Sequence, residues 1–231
     1  MIMLMLILEN PETFQELTLA NDSYYIQHVT EATDSKLISS DYNNISVLKY
    51  EKEFVVEIMI PMKHVVDCVI DINENLFCAC QYYFKCVKFF DKKKYKNIKS
   101  FYNIKVSTFC NNIMKVIDKK VIVVCCEDGL VIFDSINLEI IQKIRLKYKI
   151  NYIADYYINN NIKYYLCGSF YLEKTINPVL LMFSFDGIGM ELIGEKKEMH
   201  KGVINSVNYI PNKNLIMTSG SEDNCIKIWN N

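Results

Sequence analysis

Three residues near the C-terminus have side chains that could perform nucleophilic chemistry together. His200, Ser219 and Asp223 are the residue types of a hydrolase triad. In such a triad a hydroxyl attacks, an imidazole removes its proton and a carboxylate orients the ring. Trp229, the only tryptophan of the chain, follows six residues after Asp223. Residue types alone therefore allow acyl transfer, and the elements around them must decide whether they meet.

Paired carboxylates form a second candidate for chemistry. Asp67 with Asp71 and Glu127 with Asp128 could supply the acid and the nucleophile of glycoside hydrolysis. We expect these residues instead to be exposed carboxylates in turns. The sequence contains no phosphate-cradling glycine loop, no HExxH and no GxSxG, so it offers no motif that would support an enzymatic function.

Nine cysteines raise the question of zinc, and they are Cys68, Cys78, Cys80, Cys86, Cys110, Cys125, Cys126, Cys167 and Cys225. Their spacing does not give the paired CxxC knuckles of zinc sites. Adjacent residues of a strand point to opposite faces, so Cys125 and Cys126 do not easily bind one ion. We expect buried, reduced thiols in a reducing compartment, with no metal and no cofactor.

Charge gives little reason to expect a nucleic acid partner. The net charge is −1, and Arg145 is the only arginine. The basic run at residues 92–96 is predicted to be a solvated turn. The apolar residues 1–8 are far fewer than the roughly 20 that a membrane span needs, and we expect a buried strand there.

A three-strand pattern recurs along the chain and ends each time on an aromatic residue. These residues are Tyr50, Phe90, Phe133, Phe185 and Trp229, and they are 40, 43, 52 and 44 residues apart. The three histidines, His28, His64 and His200, each precede the first strand of a repeat. Leu76 and Val87 have counterparts 139 residues later, Leu215 and Ile226. No stretch of 11 or more residues has a helical apolar period, so an all-β fold is expected.

Residues 200–229, with this pattern, resemble one WD40 repeat, the four-stranded blade of a β-propeller. The resemblance implies an all-β, WD40-like propeller of about five four-stranded blades, either open or part of a larger ring. It predicts one propeller domain over residues 1–231, with repeats at about 20–60, 61–101, 102–147, 148–197 and 198–231. Residues 1–19 are predicted to supply strands that close the last blade, with residues 14–19 as its fourth strand.

The resemblance also implies a role for the triad-like residues. WD40 blades contain a buried hydrogen-bond tetrad, and His200, Ser219, Asp223 and Trp229 match it. An indole N–H is only a donor, so a buried one needs an acceptor, and a hydroxyl can link it to an imidazole that a carboxylate orients. The family pattern has Trp-Asp where this chain has Trp229-Asn230. These residues are accordingly expected to be structural, with no catalytic residue among them.

The function expected from the resemblance is a non-catalytic scaffold that binds other proteins within a multiprotein complex, in the cytoplasm or the nucleus. Tyr82, Tyr83 and Tyr171 are candidate protein-contact residues, because tyrosine is favoured at interfaces. An open propeller edge would also accept a strand from a partner. Two alternatives remain at this point: a propeller hydrolase with carboxylates in its channel, and a truncated piece of a longer WD40 protein.

Overall fold

The computed structural model describes residues 5–7, 14–16, 26–51, 54–106, 114–117, 120–159, 162–171, 178–187 and 189–230. These residues form 21 strands and one short 3-10 turn at Pro211–Lys213. The chain divides into two compact units, Met1–Phe101 and Tyr102–Asn231. Within the described residues, no helix is long and apolar enough to cross a membrane. The all-β expectation is confirmed.

The first unit contains a two-stranded sheet and two four-stranded antiparallel sheets. In each four-stranded sheet every strand pairs with the next one along the chain. The strands are β1 (Met5–Ile7), β2 (Phe14–Glu16), β3 (His28–Glu31), β4 (Lys36–Ser40), β5 (Asn44–Tyr50), β6 (Phe54–Pro61), β7 (Cys68–Asn73), β8 (Leu76–Gln81), β9 (Cys86–Asp91) and β10 (Lys96–Phe101). Short polar turns join several of the described strands, and an aspartate or asparagine side chain closes some of these turns by accepting backbone N–H bonds, as Asn73 does for Asn75 and Leu76.

The sheets β3–β6 and β7–β10 bury apolar residues against each other. Their shared cluster includes Ile38, Ile45, Val69, Phe77 and Phe90. Phe77 and Phe90 are cross-strand partners, and their rings stack with centroids 4.8 Å apart. Burial of one such side chain is worth about 1.5–3 kcal/mol. Apolar packing between consecutive sheets is therefore a large contribution to the stability of this unit.

The second unit contains two four-stranded antiparallel sheets and one three-stranded sheet. Its strands are β11 (Met114–Ile117), β12 (Val121–Cys126), β13 (Gly129–Asp134), β14 (Glu139–Arg145), β15 (Tyr148–Asn159), β16 (Ile162–Tyr171), β17 (Pro178–Phe185), β18 (Met190–Lys197), β19 (Ile204–Ile210), β20 (Leu215–Gly220) and β21 (Ile226–Asn230). Leu180, Met199, Ile204 and Val207 form a buried cluster between β15–β18 and β19–β21. Gly168 allows this contact, since a Cβ there would lie 2.9 Å from Ile204.

Each segment predicted as a repeat contains the strands of one sheet. The aromatic residue that ends the first repeat, Tyr50, is 44% exposed, and the buried Leu48 packs against Leu37 across the strand pair. One local prediction was wrong. Lys92, predicted to be solvated, is buried because its ammonium group binds Asp71.

The last sheet has three strands within the described residues, in the order β19–β20–β21. The described part of the segment predicted to complete it is β2, which pairs with β1 in the two-stranded sheet. Residues 17–19 lie outside the described residues. Closure of the last sheet by residues 14–19 stays a prediction.

Candidate functional site

A chain of hydrogen bonds runs through the last sheet from an indole to a carboxylate. Trp229 Nε1 donates to Thr218 Oγ1 at 2.9 Å. Thr218 Oγ1 lies 2.7 Å from His200 Nε2, and His200 Nδ1 lies 2.9 Å from Asp223 Oδ2. An ionised carboxylate can only accept, so Nδ1 carries the ring proton that faces Asp223, and Nε2 of the neutral imidazole is an acceptor. The Thr218 hydroxyl therefore donates to Nε2 and accepts from the indole N–H.

Three of the four residues expected from the sequence meet here, but the hydroxyl belongs to Thr218. The prediction of Ser219 was wrong by one residue. Cross-strand partners share a face of a sheet, and successive residues alternate. Ile216 pairs with Trp229, and Thr218 with Lys227, so Thr218 lies on the face of the indole. Ser219 pairs with Ile226 on the opposite face. The strand register, which the sequence does not show, decides between the two hydroxyls.

The segment between β18 and β19 brings His200 into contact with the turn after β20. A Cβ on Gly220 would lie 2.5 Å from both His200 Nδ1 and Asp223 Oδ1, so only glycine leaves room for the imidazole–carboxylate pair. Lys227 lies 3.3 Å from Asp223 and donates to the carbonyl of Met199 at 2.7 Å. The site is thus formed by the segment before β19, by strands β20 and β21, and by the turn between those two strands.

Opposing effects set the charge of Asp223. Burial of this carboxyl raises its pKa, but hydrogen bonds from His200 and Lys227 outweigh burial and lower the pKa from 3.8 to about 2. Asp223 is therefore ionised at neutral pH and can hold the Nδ1 proton of His200. On the other side of the network, Lys196 Nζ lies 4.7 Å from the centre of the Trp229 ring, within range of a cation–π interaction.

This geometry does not suit nucleophilic catalysis. The Thr218 side chain would have to attack a substrate, but the residue is only 2% exposed. Its oxygen already accepts from the indole while its proton points to His200. A triad needs a hydroxyl within reach of a substrate carbonyl. The network instead satisfies the donors and acceptors of a packed sheet, which is a structural role.

The paired carboxylates also differ from a glycosidase pair. Burial raises the pKa of Asp67, although the backbone N–H of Tyr82, 2.6 Å from Oδ2, partly opposes the increase. Asp71 is held by Lys92 at 2.8 Å. Glu127 faces Lys149 at 3.9 Å, and Asp128 is exposed in the turn after β12. A glycosidase needs two carboxyl groups that face one bond. Here Asp67, the carboxyl group with the raised pKa, is bound by the backbone of a turn, and Lys92 balances the charge of Asp71.

No group of three or more His, Cys, Asp or Glu side chains that could hold a metal ion occurs among the described residues. Six described cysteines are buried and form no disulfide, namely Cys68, Cys78, Cys80, Cys86, Cys125 and Cys126. Cys225 departs from this pattern and is exposed. Burial raises the pKa of Cys126 to about 12, so this thiol stays protonated and packs as a small apolar side chain.

The predicted contact tyrosines fall in two places. Tyr82 and Tyr83 occupy the turn between β8 and β9, with ring centroids 5.2 Å apart. Tyr83 is 71% exposed. The next residue, Phe84, stacks on His64 with centroids 3.4 Å apart, so the aromatic surface extends beyond the residues predicted from the sequence. Tyr171 ends β16, and its side chain lies outside the described residues.

Comparison with known families gives one match. Residues 195–230 match the family model described as "WD domain, G-beta repeat". No curated protein matches the chain. The matched residues contain β19–β21 and the whole Trp229–Thr218–His200–Asp223 network. The family match and the geometry are thus both consistent with a WD40 repeat at residues 195–230.

Proposed function

We propose that this chain is a non-catalytic scaffold that binds other proteins through a rigid aromatic turn, as part of a multiprotein complex. A WD40 repeat supports an interaction role in general. The observation that carries the proposal is the turn at residues 82–85. In this turn Tyr83 and Phe84 are exposed to solvent and Tyr82 is partly buried. Aromatic residues of this kind dominate the binding energy of many protein interfaces.

The turn is fixed before any partner arrives. Lys85 N donates to the carbonyl of Tyr82 at 2.9 Å, and Lys85 has a φ of 47°. Tyr82 N donates to Asp67, and Phe84 stacks on His64. A preformed surface loses little conformational freedom on binding, which favours affinity. The turn therefore has both the composition and the rigidity of a contact site.

Quantitative affinity capture tests this function. The tagged chain and its Tyr83→Ser/Phe84→Ser variant would be compared for the proteins they retain. The control is Ile136→Ser, which changes a similarly exposed residue, 67% against 71%, in another turn. We expect specific partners to be retained by the wild type and by Ile136→Ser and lost from the double variant. A folded wild-type chain that retains no partner would contradict the proposal.

The proposed location is the cytoplasm or the nucleus. Buried cysteines that form no disulfide, such as Cys68 and Cys86, support a reducing compartment. Fractionation of cells that express the tagged chain tests this location, and recovery from a secreted fraction would contradict it.

A further inference from the structure

A small basic pocket lies in the second unit and shares no lining residue with the Trp229 network. It has a volume of about 260 Å³. Its charged lining residues are Lys105, Asp128, Lys143 and Arg145, which give it three cations and one carboxylate. The whole chain has a net charge of −1, so this positive charge is local. The only arginine of the chain belongs to the pocket.

The described residues place no acidic ion-pair partner against the three cations. Among the described residues, no carboxylate lies within 4.0 Å of the charged groups of Lys105, Lys143 or Arg145. All three side chains are exposed, so an arriving anion would not need to displace a buried partner. Lys143 and Arg145 lie two residues apart on β14 and therefore share one face of the sheet. All three cationic side chains therefore line the same pocket.

The walls of the pocket are held in place by backbone bonds. Glu127 N donates to the carbonyl of Lys105 at 2.8 Å, and Leu146 N donates to the carbonyl of Asp128 at 2.9 Å. Gly129, with a φ of +130°, turns the chain sharply, and a Cβ there would overlap the carbonyl of Ile144. These contacts join the loop before β11, the β12–β13 turn and β14 into one rigid frame.

The lining also has an apolar part. Ile104, Leu130 and Val131 are buried residues at the pocket wall. A cavity of this volume lies below the roughly 300–1,000 Å³ of small-molecule sites. It suits one side chain with a charged end and an aliphatic stem better than a complete cofactor.

We propose that this pocket binds the carboxylate side chain of an acidic peptide segment on a partner protein. A single arginine fork matches one carboxylate in a bidentate arrangement, and the two lysines add long-range attraction. Phosphate sites usually offer a nest of free backbone N–H groups. Here the lining includes Asp128, whose carboxylate opposes a dianion more strongly than a singly charged carboxylate. This inference rests on the proposed function, because it specifies the chemistry of one partner.

Fluorescence anisotropy with a labelled peptide tests the pocket directly. The probe is a Gly/Ser peptide with a central Leu-Glu-Glu-Leu, compared with versions that carry Gln or phosphoserine in place of Glu. We expect the Glu peptide to bind the full chain, and added salt to weaken it. Lys143→Gln/Arg145→Gln should weaken binding about tenfold or more, since charge-assisted hydrogen bonds are lost. All substituted residues are exposed, so folding should be retained.

Lys197→Gln is the matched control, because it removes the same type of charge from an exposed residue on β18. It should change the affinity less than about twofold. Equal binding of the Glu and Gln peptides, or an equal loss in Lys197→Gln, would overturn the proposal. A phosphoserine peptide that binds about tenfold more tightly than the Glu peptide would assign the pocket to phosphate instead. The two proposals can also fail separately. If partner capture is lost on substitution of Tyr83 and Phe84 but not on substitution of Lys143 and Arg145, the scaffold function stands and the pocket proposal is overturned.

Discussion

The sheets β7–β10 and β19–β21 have corresponding strand pairs but different chemistry beneath the aromatic residue of the third strand. Phe90 pairs with Phe77 across β8–β9, and Trp229 pairs with Ile216 across β20–β21. Corresponding residues of these strands are 139 positions apart. The comparison shows which residues of a sheet must differ when its aromatic residue carries an indole N–H.

The residue beside the aromatic ring differs between the two sheets because the rings differ in polarity. Trp229 needs an acceptor for its N–H, and Thr218 provides it. Phe90 has no such donor, and its corresponding neighbour is the buried Ala79. The stacked ring of Phe77 completes the apolar surroundings. A hydroxyl at Ala79 would lack the partner that Thr218 has.

The surroundings of His200 and His64 also differ between the two sheets. Gly220 leaves space for the His200 ring, whereas its counterpart Gln81 is buried and donates to the carbonyl of His64 at 2.7 Å. The counterpart of Asp223 is Phe84, and the exposed His64 stacks on that ring. The sheet with the indole thus has a hydroxyl, a glycine and a carboxylate at three positions that fit the network. The sheet with the phenyl ring has different residues at all three corresponding positions.

The sheet β7–β10 has a buried polar network of its own, at a turn. Lys92 Nζ binds Asp71 at 2.8 Å, Thr33 Oγ1 at 3.0 Å and the carbonyl of Asn73 at 3.2 Å. This network joins the β3–β4 turn to the β7–β8 turn. Its centre is a buried pair of full charges, whereas the indole end of the network in β19–β21 is a neutral donor and a hydroxyl.

The largest effect is expected from Lys92→Met, which removes the cation and leaves Asp71 buried. The side chains of Lys92 and Asp71 are 5% and 7% exposed. Loss of one partner of a buried pair costs about 3–5 kcal/mol in free energy of unfolding. Urea unfolding followed by circular dichroism measures it. Lys93→Met, exposed in the same turn, should cost less than about 0.5 kcal/mol, and equal costs would show that the buried pair is not the cause.

Thr218→Val tests the other network at almost constant volume. It leaves the Trp229 N–H and His200 Nε2 without their shared partner, which should cost about 2–4 kcal/mol. Urea unfolding followed by fluorescence of the single tryptophan reports on this sheet directly. Ser219→Ala should change stability by no more than about 0.5 kcal/mol. A larger cost for Ser219→Ala than for Thr218→Val would contradict the assignment of the hydroxyl.

Gly220→Ala tests the space that admits the imidazole. The new Cβ would push apart His200 and Asp223, at an expected cost of about 1–3 kcal/mol. The matched control is Gly194→Ala, whose Cβ would meet only the flexible end of Met182 at 3.4 Å. That change should be neutral or slightly stabilising, by up to about 1 kcal/mol. Thermal unfolding of both variants gives the comparison, and similar melting temperatures would argue against a special role for Gly220.

Two substitutions in β7–β10 that reproduce the Trp229–Thr218 pair test the comparison between the two aromatic residues. Phe90→Trp should place a buried N–H near Ala79 without an acceptor, and Ala79→Thr should supply the missing hydroxyl. A double-mutant cycle by urea unfolding should give a favourable coupling of about 0.5–1.5 kcal/mol. Strictly additive costs would show that the correspondence with Trp229 and Thr218 does not extend to energetics.

The smallest effect is expected in the acid range. The pKa of Asp223 is about 2 in the folded chain, below its ordinary value of 3.8. Its carboxylate therefore stabilises the fold above about pH 4, and this contribution is lost as the pH falls toward 2. Asp223→Asn should make the melting temperature less dependent on pH in this window than it is in the wild type. Glu222→Gln, an exposed neighbour, should keep the wild-type slope, and an unchanged slope in Asp223→Asn would contradict the role of the carboxylate.

Much of the fold could be predicted because it depends on local pattern. Alternating apolar residues and Asn-, Asp- and Gly-containing turns indicated the all-β class, and the 139-residue correspondence predicted equivalent strands in two sheets. Of the candidate site, His200, Asp223 and Trp229 were identifiable from the resemblance. Arg145 stood out as a single arginine, but no pattern in the sequence connected it with Lys105, which meets Lys143 and Arg145 only through packing.

The sequence by itself determined where strands begin, which residue types recur and which aromatic residue ends each repeat, because these depend on neighbours a few positions away. Tertiary structure decided which hydroxyl meets the indole, since a shift of one residue in a strand reverses the face. It also decided that Lys92 is buried, because a distant turn supplies Thr33 beside Asp71. Both outcomes depend on cross-strand register and packing between sheets, which no single segment of the chain contains.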